Sequence, residues 1–273
     1  MTWNIRTGGQ DRGGPDRRDR LARVIAEQRP DVLAVQELGG LDVAGFAAAA
    51  GLRAYLAGSW LGQPVAVLVR PPWPVLDAAP VRRPFHHSAQ RVVLGTDAGP
   101  LTVLGTHLHP YSGTRRLVEA GWAAAALRRD RAALALLAGD LNTLDPYAEH
   151  ADRVGRLPPA YRRRHLRPDG RTVDTRAVAR LLATGLVDLA AAAGPTVPTG
   201  HGGVEFADMR LDYLLGTSAL AARCTGARVV RGGDAEHASD HYPVLAEFDL
   251  SPPAPPGPPG WAGPPGPAVT GSG

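Results

Sequence analysis

Leu134-Ala135-Leu136-Leu137-Ala138-Gly139-Asp140-Leu141-Asn142 is the stretch that decides the fold. Its apolar opening has the length of a buried strand, and Gly139 marks where that strand delivers its end. In an extended segment residues i and i+2 share a face, about 7 Å apart. Asp140 and Asn142 therefore converge. An acid there orients or deprotonates water, and a neutral amide donates to a phosphoryl oxygen without neutralising the acid. The competing reading is an Asx-turn after Gly139.

Outward from this strand, Leu101 to Thr106 reads as another, paired with 91–95 across the Asp97-Ala98-Gly99-Pro100 turn and ending at His107. An Ala- and Arg-rich helix is predicted over 115–130. Toward the N-terminus, Leu21, Val24 and Ile25 give helical spacing over 17–29, and Val32-Leu33-Ala34-Val35 is a buried strand ending at Gln36-Glu37. A helix over 41–50 and a strand over Val65–Val69 follow. Toward the C-terminus the spacing predicts a helix over 176–184 and strands over 210–215, 227–231 and 242–250. Residues 143–175, rich in Arg, Pro and Asp, read as a surface excursion with short helices. Helices and strands intermingle without clean βαβ alternation, which predicts an α/β (α+β) class with a mixed sheet core covered by helices. The catalytic unit is expected to span 1–250. Residues 251–273 are dominated by Pro and Gly and read as a disordered tail.

The polar residues at strand ends are the candidates for chemistry. Glu37 suits a hard cation, which takes oxygen ligands and one or two carboxylates; its bland reading is an exposed acid. Asn4, in Thr2-Trp3-Asn4-Ile5, is either a ligand or a turn former. Ser239-Asp240-His241 sets an acid beside an imidazole, one for metal and one for phosphate or proton transfer. Asp212 lies in the apolar run Arg210-Leu211-Asp212-Tyr213 and needs a partner, for which an imidazolium serves. His107 and His109 form a His-x-His pair, but no further soft ligand stands at zinc spacing. His86 and His87 read as surface residues. Arg91 is a candidate phosphate contact, a guanidinium being matched to that group. Arg162-Arg163-Arg164 is either a solvated face or part of a nucleic-acid groove.

Composition bounds the rest. The chain has 273 residues and every one of its 30 basic residues is Arg; a pI near 9.7 goes with a net charge of only +4. That balance is a weak signal for a polyanionic partner. Cys224 is the only cysteine, which rules out an intrachain disulfide; a buried structural thiol is expected. No apolar run is long enough to predict a transmembrane helix. Met1 runs at once into what reads as the end of a core strand. A cytoplasmic location is expected of the chain as written, and a secreted one if a leader precedes it.

Taken together, TWNI, QE, GTHLH, GDLNT, RLDYLL and SDHYPV, in that order from residue 2 to about 250, resemble the endonuclease/exonuclease/phosphatase superfamily with the deoxyribonuclease I-like fold. The resemblance implies a four-layered α/β sandwich, two packed sheets with helices outside. It implies that Asn4 and Glu37 sit at a Mg²⁺ (or Mn²⁺) site with Asp240 close by. Asp140 would position the attacking water, Asn142 and His107 would hold the phosphate, and His241, oriented by Asp212, would meet the developing charge. The first strand is short for this pattern, and Tyr161–Arg171 matches no motif.

The expected activity is metal-dependent hydrolysis of a phosphate ester by in-line attack of water. The substrate would be a phosphodiester or a small phosphorylated metabolite, acted on by a monomer. One rival is a DNA or RNA endonuclease using the arginines of 162–171. Another is a non-catalytic binding module, against which no expected polar position is missing. A lipid-directed enzyme calls for an exposed apolar hairpin or helix, and none is legible in the sequence.

Overall fold

The computed structural model describes residues 1–129 and 132–252; of the tail predicted over 251–273, residues 253–273 lie outside the described residues. In chain order the first half runs β1 (Thr2–Asn4), α1 (Arg18–Gln28), β2 (Val32–Gln36), α2 (Val43–Ala49), β3 (Arg53–Ala57), β4 (Val65–Val69), β5 (Val75–Pro80) and β6 (Ala89–Leu94). There follow β7 (Leu101–His107), α3 (Gly113–Leu127), β8 (Leu134–Asp140), α4 (Ala151–Gly155), α5 (Pro159–Arg162) and α6 (Arg176–Leu182). The chain closes with β9 (Leu186–Asp188), β10 (Asp212–Thr217), α7 (Ser218–Ala221), β11 (Cys224–Val229), α8 (Ala235–Ala238) and β12 (Val244–Phe248).

The strands form two six-stranded sheets, ordered β11-β12-β1-β2-β4-β3 and β5-β6-β7-β8-β10-β9. Each has one parallel pair, β1 with β2 and β7 with β8, and antiparallel neighbours elsewhere. A parallel pair requires a crossover, and α1 and α3 supply the two. Leu21, Val24 and Ile25 of α1 pack on the outer face of the first sheet. Ala120, Ala123, Ala124 and Leu127 of α3 pack on the outer face of the second, with Val178 and Leu181 of α6. Between the sheets lie Ala34, Val67, Val69, Val92, Val103, Leu136, Leu214 and Val244. This is the expected four-layered sandwich with two mixed sheets. β4, β6, β7 and β8 are buried along their whole length, which is why they read as continuous apolar runs rather than alternating ones.

The structure departs from the sequence reading in places. β3 and β5 were not predicted; both are edge strands with mixed burial, so neither carries a clean period. The excursion 143–175 holds α4, α5 and a 3₁₀ turn, and it has a small core of Leu144, Val154 and Leu157 against Met209 and Leu211. The fully buried Arg116 of α3 ties it down, donating to the carbonyls of His109 (3.2 Å) and Arg164 (2.6 Å). Cys224 is half-buried on the edge strand β11 rather than a core thiol. Arg91 is paired across the ladder with Leu104, whose side of the sheet faces the α3 core, and its guanidinium bonds Asp77. Among the described residues no helix is long and apolar enough to cross a membrane.

Candidate functional site

The parallel strands deliver their C-terminal ends, and their antiparallel neighbours their N-terminal ends, to one edge of the sandwich. In the second sheet His107, Asp140 and Asp212 fall on a single rung across β7, β8 and β10. Gly139 makes that rung possible. A Cβ there would stand 1.9 Å from the Thr106 carbonyl oxygen, so only glycine lets β8 lie this close to β7. From the first sheet come Asn4 at the end of β1, Glu37 just after β2, and Asp240-His241 before β12.

These groups meet. The Asn4 amide nitrogen donates to Glu37 Oε1 (3.0 Å) and to Asp140 Oδ2 (3.1 Å), linking the two sheets. Asp140 Oδ1 accepts the Asn142 backbone N–H at 2.8 Å, and its Oδ2 lies 3.3 Å from His107 Nε2 and 3.9 Å from His241 Nε2. Asn142 Nδ2 stands 3.0 Å from His107 Nε2 and donates to the Leu108 carbonyl at 3.0 Å. On the far side His241 Nδ1 is 2.8 Å from Asp212 Oδ2. One ligand atom from each of Asp140, Asp212 and His241 lies within 4.8 Å of the others. The Asx-turn reading of Asp140-Leu141-Asn142 holds: β8 ends at Asp140, its carboxylate caps the Asn142 amide, and Asn142 adopts φ 48°, so the two side chains meet at His107 through the turn rather than along an extended strand. Glu37 likewise sits at φ 59°, a conformation that costs a non-glycine residue energy and is held here by its surroundings.

Burial opposes charge at this site and the neighbouring charges overrule it. Burial alone would lower the His241 imidazole, but Asp212, Asp140 and Asp240 carry it well above the ordinary histidine value. Burial works against ionisation of Asp140 too, yet His107 and His241 hold it well below the usual carboxylate range. His107 is raised by Asp140 against the same desolvation. Each group thus draws the others toward charge: Asp140 toward its ionised form, His107 and His241 toward their protonated forms.

Asp240 Oδ2 lies 3.0 Å from Arg6 Nη1 and its Oδ1 accepts from Ser239 Oγ (3.2 Å), and Arg6 reaches on to Asp11 (3.1 Å) and Glu205 (3.6 Å). Glu37, Asp140 and Asp240 with the Asn4 amide make an oxygen-rich donor set, the kind a hard divalent cation takes. Among the described residues Arg6 is the one arginine that pairs with any of these acids. Arg91 does not come to this group. Neither does His109, whose Nδ1 accepts the Tyr111 and Ser112 backbone N–H groups and shapes the turn into α3.

Two features at the site escaped the sequence. His87 is 7% exposed rather than at the surface, and its ring stacks on that of His107 with centroids 3.8 Å apart and planes 2° apart. Its Nδ1 accepts the Gln63 backbone N–H at 2.9 Å, so the ring proton sits on Nε2. Gln63 also donates from Nε2 to Glu37 Oε2 at 3.3 Å. The local signal was weak, since an isolated His-His pair ahead of a strand reads equally well as solvated. The other missed feature is the tip of the β3–β4 hairpin: Trp60 is 101% and Leu61 69% exposed, the apolar hairpin that the sequence reading found lacking.

The chain belongs to the endonuclease/exonuclease/phosphatase family, whose model matches residues 1–241. No curated protein sequence matches it. Among solved structures it is similar to a mannosyl-6-phosphatase of Bacteroides thetaiotaomicron VPI-5482 (TM-score 0.66, 16% identity, 91% of this chain and 98% of that one). It is similar also to a Neisseria 3′ phosphatase bound to product DNA hairpin (TM-score 0.64, 20% identity, 91% and 98%). An AP endonuclease from Archaeoglobus fulgidus gives TM-score 0.64 at 18% identity, with 91% and 98% covered. At these identities the likeness is one of fold. Members of this family act on phosphate esters, and a hydrolase of that broad kind is what the family membership supports.

Proposed function

We propose that this chain is a divalent-metal-dependent phosphoesterase that hydrolyses a phosphodiester or a small phosphorylated metabolite by in-line attack of water. The observation that carries the reading is the opposition of Asp140 to His241, with Asp212 behind the imidazole and Asn142 and His107 alongside. Asp140, ionised and held by the Asn142 amide, orients the attacking water and takes its proton. Asn142 and His107 donate to a non-bridging phosphoryl oxygen. His241, kept protonated and oriented by Asp212, meets the charge that develops on the phosphoryl and leaving oxygens. Asn4, Glu37 and Asp240 would hold Mg²⁺ or Mn²⁺, which supplies Lewis-acid polarisation of the phosphate when bound.

The mannosyl-6-phosphatase and the 3′ phosphatase support a phosphoester substrate in general and leave monoester and diester both open. The arginines of the excursion offer the nuclease reading little. Arg162 is spent on the Gly155 and Leu157 carbonyls, and Arg164 lies over the Tyr111 and Tyr161 rings. The binding-module reading loses ground because every polar group of the site is in place.

The test is a hydrolysis panel of bis-p-nitrophenyl phosphate, plasmid DNA and phosphomonoesters with Mg²⁺ or Mn²⁺, with Asp140→Ala as control. Metal-dependent turnover that vanishes in the variant is expected. Turnover that survives Asp140→Ala, or its absence on every ester with either metal, overturns the reading.

A further inference from the structure

The loop 58–64 is built to present two apolar side chains. Ser59 Oγ donates to the His86 carbonyl (2.9 Å) and accepts the Leu61 (3.3 Å) and Gly62 (2.9 Å) backbone N–H groups. Gly62 sits against His87; a Cβ there would meet His87 Nδ1 at 2.6 Å and the His86 carbonyl oxygen at 2.8 Å. The turn is therefore held, and what it holds outward is Trp60 and Leu61. Burial of this pair within the chain contributes nothing to the fold, and exposed apolar groups of this size at a rigid tip mark a contact surface.

The tip stands at the mouth of the site. It forms one wall of a cavity of about 690 Å³ whose other walls are Pro80–Phe85 and His87–Ala89. Arg82 and Arg83 are exposed on the facing wall, and none of the described residues lining the cavity is acidic. The loop 58–64 itself, Gly-Ser-Trp-Leu-Gly-Gln-Pro, has no charge. Other loops at the same edge of the sandwich expose Tyr111 (61%), Tyr147 (86%) and Val204 (69%). An uncharged aromatic-aliphatic tip beside a pair of arginines, with further aromatic rings around it, is the chemistry of a lipid–water interface. Trp and Tyr favour headgroup depth, aliphatic side chains go into the acyl boundary, and guanidinium groups pair with anionic lipid phosphates.

We infer that the catalytic mouth docks on an anionic phospholipid bilayer, Trp60 and Leu61 inserting and Arg82 and Arg83 meeting headgroup phosphates. A single-stranded nucleic acid fits less well. It would use Trp60 as a stacking platform but gain nothing from Leu61 or Val204, which have no π face, and it would favour cations on the tip itself. Docking of this kind brings the site to the depth of lipid phosphates, so that the ester hydrolysed is one presented at that surface. This last step rests on the phosphoesterase reading; the docking does not.

The test is co-sedimentation of the full chain with sucrose-loaded vesicles of phosphatidylcholine and phosphatidylglycerol (3:1), against phosphatidylcholine alone. The expected result is partition onto the anionic vesicles that falls by about tenfold or more in Trp60→Ser/Leu61→Ser. Arg82→Gln/Arg83→Gln should weaken binding to the anionic vesicles and flatten its salt dependence. Leu76→Ser, at an exposed position of β5 outside the cavity wall, should change nothing. Trp60 and Leu61 make no packing contact worth losing, so the double variant should melt with the wild type and keep its turnover of a soluble ester. Asp140→Ala should bind vesicles normally, which separates failure of docking from failure of the catalytic reading. Wild-type chain that stays in the supernatant, or binding indifferent to Trp60 and Leu61, overturns the inference. So does an affinity for single-stranded oligonucleotide that the double variant loses while vesicles are ignored.

Discussion

The imidazole of His87 lies flat on that of His107, and their surroundings push the two rings in opposite directions. Burial and then the charge of His107 push His87 down to about 2, while Asp140 raises His107. A ring held toward its neutral form is thus stacked against one drawn toward its charged form. The His87 ring is held from the other side by Gln63, whose side chain also reaches Glu37. His87→Ala should leave binding of substrate nearly intact and lower kcat by about 10- to 100-fold, as loss of a support behind a catalytic group does. The check is a KM-against-kcat comparison beside a thermal melt. A fall confined to the melting temperature would reduce His87 to a packing residue.

Asp212→Asn keeps the shape of the pair and removes its charge. The asparagine can hold His241 in the wrong tautomer, and the imidazolium loses its main stabiliser. Turnover should fall by about 10²–10⁴ with little change in stability. Steady-state kinetics on a soluble ester, with unfolding curves alongside, decide it; wild-type turnover in this variant would dissociate Asp212 from the chemistry.

Gly139→Ala tests the rung. Its Cβ has nowhere to go, standing 1.9 Å from a backbone oxygen of β7. Either β7 and β8 separate or the chain does not fold. A loss of stability of more than about 3 kcal/mol is expected, read from urea unfolding. A variant as stable as the wild type would mean that the strands are not this close.

His165 gives a stability slope with pH. Burial first, then Arg116 and Arg164, hold it down at about 3. The unfolded histidine titrates near 6.5, so between pH 6.5 and 3 the unfolded chain carries the extra proton. Stability contributed by this residue is full above pH 6.5 and is lost as pH falls, by about 1.4 kcal/mol per unit. His107 and His241 are raised, and so stay protonated in both states below pH 6.5; they add no slope there. Urea midpoints measured from pH 7 to 5 should decline less steeply in His165→Gln than in the wild type. Parallel declines would refute it.

The edge that carries the candidate site was legible because strand ends write themselves into sequence. Apolar runs such as Val32–Val35 and Leu134–Ala138 stop where the chain must meet water, and the next polar residue is the one delivered to the edge. The pairing of Asp212 with His241 followed from the cost of a lone buried acid, whereas Asp140 and Asn142 meet through the Asx-turn rather than by face periodicity. What stayed hidden was whatever depends on a neighbouring strand of the same sheet. His87 is buried only because His107 arrives opposite it, and Arg91 is diverted from the site by Asp77 on an edge strand that had no period to read. The exposed Trp60 was invisible for the converse reason. A tryptophan in a sequence is expected in a core, and only the folded hairpin shows that nothing covers it.

The Asn4 amide spans from Glu37 in one sheet to Asp140 in the other. Neither slab of the sandwich owns a complete reaction centre. A sliding of one slab over the other by a fraction of a side chain's width would leave every strand intact and every helix in place, yet it would uncouple acid from imidazole. Loss of turnover is therefore the earliest sign of mechanical slack between the slabs, ahead of any signal from secondary structure. Selection on activity is at the same time selection on the tightness of the apolar seam that joins them.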